Sequence, residues 1–181
     1  MQKIAGVPRQ EFLEVAEEVV KRFIALPENP KPERTGGYVS VLEKANRKML
    51  LVTEVGICPP DMLRCIDVVQ EKVQRLFDHL GQGHFSSWQS RDFDNRKYGG
   101  GITAPPDSMG TEKGKDVIGA ISGFVEYGDE ASILVTWMVF RWVMLGEAKR
   151  IVAISGNNLF EPLLNVCNDL FDRELHIDMD E

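Results

Sequence analysis

The chain has 181 residues, the size of one ordinary domain. Apolar residues make up 43% and charged residues 27%, a mix that excludes a disordered, collagenous or disulfide-built chain. The formal charge of -7 argues against a general affinity for nucleic acid or anionic membranes. Most of that charge sits in one place: Asp169 to Glu181 holds six acids against the single base Arg173, and reads as a solvated tail.

In chain order, Arg9 to Leu26 form an amphipathic helix. Phe12, Val15, Ala16, Val19, Phe23 and Ile24 share one face, Pro8 precedes it and Pro27 stops it. Pro27 to Gly37 is a proline- and glycine-rich connection. Tyr38 to Leu42 and Met49 to Val55 are β-rich runs around a charged spacer, the pattern of a hairpin. A second helix runs from about Pro60 to Leu80, with Met62, Ile66, Val69, Val73, Leu76 and Leu80 on one stripe.

Gly81 to Tyr98 is a long polar and aromatic loop. Three glycines, Gly99 to Gly101, lead into a short strand at Ile102 to Ala104. After a turn-rich insert, Val117 to Val125 reads as a strand of small apolar residues. The next helix spans about Glu130 to Leu145 and is apolar nearly all round, with Asp129 as its expected cap. Arg150 to Ser155 is either strand or a continued helix, and Asn158 to Phe171 forms the last helix. Strands in adjacent pairs, rather than alternating singly with helices, point to α+β: one central antiparallel sheet with flanking helices in a single domain, 1–181.

No metal or nucleophile motif stands out. Cys58, Cys65 and Cys167 match neither a zinc site nor a disulfide framework and read as reduced thiols. With the opening MQKIAGVPRQEFLEV lacking the apolar run of a secretory signal, the expected location is the cytoplasm. His84 is the candidate ligand or acid/base, with Asp92 as the carboxylate that could support it. Arg91, Arg96 and Lys97 precede the glycines, whose N–H groups are suited to an anion. Trp88 and Tyr98 offer flat apolar contacts. The fifteen apolar residues Ala131 to Leu145 are too few to cross a bilayer. A helix apolar on every side must be covered on every side; the sheet covers one face of residues 130–145, the other needs the C-terminal helix or a second subunit, and a homo-oligomer interface is the expectation.

KYGGGITAP, the insert, GKDVIGAISGF and YGDEAS together resemble the GlcG/HbpS-like, haem-degrading family. The resemblance covers about residues 38–145; either Ser122 stands where the family strand has glycine, or two residues are missing before Ser122-Gly123. It implies a profilin-like sheet, oligomers and, in some relatives, bound haem or iron. Three functional readings follow. The first is an oligomeric sensor or accessory domain that binds haem or another anionic ligand through His84, Trp88, Arg91, Arg96, Lys97, Tyr98, Gly99, Gly100 and Gly101. The second is an enzyme on a small anionic metabolite with His84 as acid/base. The third is a protein-interaction subunit.

Overall fold

The structure is a computed structural model and describes residues 2–175. It is α+β. Two residues of β1 (Lys3–Ile4) and two of β2 (Val7–Pro8) make a small hairpin ahead of α1 (Arg9–Ile24). Helix α1 buries Phe12, Val15, Ala16, Val19, Val20 and Phe23. It ends before Pro27, whose missing N–H cannot continue the ladder.

Strands β3 (Gly36–Glu43) and β4 (Lys48–Gly56) are the expected hairpin, with a bulge where Val41 faces Leu51 and Leu42 faces Met49. A short 3₁₀ turn at Pro60–Met62 leads into α2 (Arg64–Asp78). Strands β5 (Gly101–Thr103) and β6 (Val117–Ser122) flank an insert that carries the single turn α3 (Glu112–Lys115). The sheet order is β4-β3-β6-β5, antiparallel throughout, and a lone bridge between Ser86 and Ile102 adds a rudimentary fifth rung. The strand after the three glycines and the strand after the insert, β5 and β6, are therefore neighbours in one sheet.

Alternation along the strands divides the core in two. Tyr38, Leu42, Ile118 and Ala120 face α2 and meet Val69, Val73 and Leu76. Val39, Val41, Val117 and Ile121 face the other way, toward α1 and α4 (Glu126–Val139). Gly119 lies under the Trp137 ring so closely that a Cβ would stand 2.7 Å from it.

Helix α4 differs from its sequence reading in three ways. It starts at Glu126, so Asp129 is not its cap but lies one turn inside. It stops at Val139, because Arg141 takes a left-handed conformation (φ 58) and Trp142 N–H returns to the carbonyl of Trp137. Trp142 then folds back to stack with Phe12 at 5.8 Å and meet Trp137 edge-on at 5.5 Å. The ambiguous stretch 150–155 is helical, within α5 (Leu145–Ser155). The last helix is shorter than expected, α6 (Phe160–Val166), followed by a 3₁₀ turn.

The apolar circumference of α4 is covered within one chain. The sheet, α1, α5 and α6 enclose it, and Ala131 to Phe140 are all buried. Of the two covers the sequence allowed for residues 130–145, the C-terminal helices supply one, while Met144 and Leu145 remain exposed at the end of that stretch.

The tight Trp137–Gly119 contact gives a measurable expectation. Gly119→Ala overpacks the core and costs about 1–3 kcal/mol. Gly146→Ala, at an open position of α5 with nothing within 4 Å, is neutral or stabilising by up to ~1 kcal/mol. Urea unfolding of both variants reads the contrast.

Candidate functional site

The site is organised around a buried ion pair. Lys72 comes from the middle of α2 and is 1% exposed. Its Nζ donates to Asp129 Oδ2 at 2.8 Å and to the Ile121 carbonyl at 2.9 Å. Asp129 Oδ1 accepts from the N–H groups of Gly123 (3.1 Å) and Phe124 (2.9 Å). The aspartate thus ties down the chain between β6 and α4 while pairing with α2. Burial pushes its carboxyl up to about 6, against the pull of Lys72 and the amides.

Two of the three glycines are explained by close packing, one of them against this pair. Gly100 runs at φ 99, and a Cβ there would lie 2.7 Å from Asp129 Cβ and 3.1 Å from Lys72 Nζ. At Gly99 it would strike the Trp88 indole at 2.3 Å. The N–H of Gly99 donates to Glu126 Oε1 (2.6 Å) and that of Gly101 to Ser87 Oγ (2.8 Å). Those two amides are committed to protein partners, so the anion-binding part assigned to them in sequence is not open to a ligand.

Beside the ion pair opens a cleft of about 790 Å³. One wall is the start of α2 with Arg64, Cys65, Asp67 and Glu71. Another is the turn bearing Asn95, Arg96 and Tyr98. The third is Ser122 to Glu126, with Lys31 and Arg34 from the connection ahead of β3. Three of the four acids here already have cationic partners: Asp129 holds Lys72, Glu71 holds Arg75 at 2.6 Å, and Glu126 faces Arg91 at 3.8 Å. Among the described residues no carboxylate lies within ion-pair distance of Lys31, Arg34, Arg64 or Arg96, although Arg34 is near enough to favour the charged form of Asp129, and Asp67 is the one acid left without a cation. Arg34 Nη1 donates to the carbonyls of Gly123 and Phe124 at 3.1 and 3.0 Å, which fixes its head in the wall. Burial, and then Asp129, push the Cys65 thiol up, so it is no ready thiolate.

Arg75 is the residue that the sequence reading missed. Buried on α2, it donates from Nη1 to the carbonyls of Ser87 (2.7 Å) and Ser90 (2.9 Å) and to Ser90 Oγ (2.8 Å). Its Nη2 reaches the Tyr98 carbonyl and Glu71 Oε2. The guanidinium therefore clamps the 87–98 segment to α2 and sets the wall that carries Arg96 and Tyr98. The available signal was position: Lys72 and Arg75 interrupt the Val69–Val73–Leu76 stripe on the inner side of the helix.

The sequence-selected residues separate into groups. Arg96 and Tyr98 line the cleft. Trp88 stacks on Tyr127 at 5.1 Å, and the Arg91 guanidinium sits 4.1 Å over the Trp88 ring and 4.2 Å over that of Phe93. Lys97 pairs through its backbone with Asp92 at the base of the turn. His84 is elsewhere: it stacks on His79 at 5.2 Å and lines a second cavity of about 220 Å³. Its Nδ1 is buried without a partner, and burial followed by His79 holds its pKa below the ordinary value. Asp92 is turned to Asn95 (2.7 Å), so the His84–Asp92 acid/base pair is not assembled. His176 lies outside the described residues.

Histidine-ligated haem does not fit this arrangement. The cavity that His84 lines is smaller than the ~300 Å³ at which ordinary small-molecule sites begin, and no histidine lines the larger cleft. Compared with models of known families, with curated proteins and with solved structures, the chain has no match.

Next to Asp129, Glu130 is fully buried, and among the described residues no cation is bonded to it. Its carboxylate accepts from Ser155 Oγ (2.5 Å), Asn157 Nδ2 (3.1 Å) and Ser86 Oγ (3.2 Å), joining α4 to the α5–α6 junction and to the 86–90 turn. Burial pushes it up to about 7 from an ordinary 4.5. The folded chain therefore holds this proton more tightly than the unfolded chain. Its contribution to stability is fully present below about pH 4.5, falls as pH rises and is level above about 7, a span on the order of 3 kcal/mol at most. Urea unfolding at several pH values is expected to show wild type losing stability relative to Glu130→Gln across that window, with a constant difference above it.

Proposed function

We propose that this chain is a small-molecule-binding domain and that its ligand is an anion held in the 790 Å³ cleft. The observation that carries this reading is the convergence of Lys31, Arg34, Arg64 and Arg96, with no carboxylate within ion-pair distance among the described residues, on one concave surface of a chain whose net charge is -7. In an acidic protein such a surface is a local exception, and concave walls focus its field. The size suits an ordinary metabolite. Tyr98 supplies a flat contact at the rim. The buried Lys72–Asp129 pair behind the wall, with Arg75 across α2, holds the walls rigid, so little ordering is left to the binding step.

The reading keeps the small-molecule half of what the GlcG/HbpS-like resemblance implied and sets haem aside. It does not depend on His84. Binding rather than turnover is favoured by what lines the cleft: its thiol is held protonated, its carboxylates are mostly engaged, and Asp92 is not positioned to support a base.

Titration calorimetry and thermal shift with inorganic phosphate, pyrophosphate and citrate test the proposal. At least one of them is expected to bind saturably, raising Tm by roughly 5–10 °C at a hundredfold excess over Kd. Arg64→Ala and Arg96→Ala are each expected to weaken binding about 10- to 100-fold, the usual effect of losing a charge-assisted hydrogen bond. Arg150→Ala, which removes a surface partner of Asp107 on α5, is expected to leave it unchanged. Weakening of the same size in all three variants would reduce the effect to bulk charge.

A further inference from the structure

The second cavity lies at the opposite end of the sheet from the cleft, where β3 and β5 end and β6 begins. Its walls are largely apolar, with Phe85, Pro105 and Pro106 prominent. The polar groups facing it are few. Thr103 Oγ1 is already donating to the Val117 carbonyl (2.9 Å), and Lys115 Nζ is turned away to Glu112 (2.7 Å). Lys44, the first residue after β3, and His84 remain. Lys44 has no carboxylate within ion-pair distance among the described residues, and its Nζ donates to the main-chain carbonyl of Lys115. A hydrogen bond to a neutral carbonyl holds an amine in place without the full charge stabilisation that a carboxylate gives.

We propose that this cavity captures a small aldehyde or ketone as an imine on Lys44, with His84 carrying the proton. The Nζ lone pair attacks the carbonyl carbon, and the carbonyl oxygen becomes a hydroxyl. The remaining amine proton and that hydroxyl leave together as water, giving the C=N bond, so no oxidant or reductant is required. The unprotonated imidazole of His84 takes the proton from nitrogen and returns it to the departing hydroxyl. Desolvation of a lysine in an apolar pocket is the usual route to such a nucleophile.

Burial pushes the Lys44 amine down to about 8, against the opposing pull of Asp116, while burial and then His79 hold the His84 pKa below its ordinary value. A useful fraction of neutral amine is therefore present at physiological pH, where an exposed lysine has almost none. The size of the cavity limits the carbonyl compound to a few carbons, and its walls favour an apolar substituent. This site is independent of the anion cleft.

The full chain is incubated with propanal and cyanoborohydride, which reduces the imine to a stable adduct, and the labelled lysines are mapped by peptide mass spectrometry. At pH 7 Lys44 is expected to label about tenfold or more faster than the exposed Lys21 and Lys149. Its rate levels off above about pH 8. His84→Ala is expected to slow Lys44 several-fold and leave Lys21 unchanged. Labelling of Lys44 no faster than Lys21 in wild type, or a Lys44 rate indifferent to His84→Ala, overturns the proposal. The wild-type map needs no variant to fold.

Discussion

Lys72 and Asp129 bring two full charges into the space between the sheet and its helices, and the arrangement of the molecule around them follows from making that tolerable. Burying a lone charge is prohibitive, and removing one partner of a buried pair typically costs about 3–5 kcal/mol. The pair is sustained because its remaining valences are met by the Ile121 carbonyl and by the amides of Gly123 and Phe124. Each of those partners belongs to a different structural obligation: α2 must cross β6, β6 must end at Ser122, and the chain must turn at once into α4. Gly100 completes the set, since any side chain there would push into the pair.

This frame places the cleft. The turn after β6, the start of α2 and the 87–98 segment meet at the ion pair, and Arg75 fixes the last of these through four separate hydrogen bonds to main-chain and side-chain oxygens. Within the frame Lys72 and Asp129 satisfy each other, and Arg75 pairs with Glu71. The unpaired bases stand at its edge, where a ligand would meet them. The opposite end of the sheet shows the reverse balance: apolar walls, one amine and one imidazole. The two ends of one small sheet thus offer different chemistry, and the functional candidates divide between them rather than gathering in one loop.

Much of the architecture was legible in the sequence because it depends on local periodicity. The stripe on α1, the stripe on α2 and the paired β-rich runs each carry their own signal, and strands arriving in adjacent pairs predicted an antiparallel sheet. The errors have a common cause. Helix α4 has no polar face, so the pattern carried no register and showed neither where it begins nor that α1, α5 and α6 would cover it. Its stop at Val139 depends on Arg141 adopting a left-handed conformation, which arginine rarely does and which no propensity announces. Asp129 looked like a cap because it is an aspartate near a helix start. Its partner Lys72 is 57 residues away.

The candidate site was legible only in part. Composition identified the stretch 91–101 as unusual, and Arg96 and Tyr98 do reach the cleft. Arg34, Arg64 and Lys31 come from other segments and have no common motif, so only folding brings them to the same wall. The glycine triplet was correctly singled out, but the reason for two of its members is close packing on an ion pair and an indole. By itself the sequence determined the amphipathic helices, the hairpin and the α+β class, because hydrophobic periodicity is written along the chain. The tertiary structure alone decided which charges are paired, which are left facing solvent, and that His84 belongs to a different cavity from the arginines, because electrostatic partnership depends on distance in space.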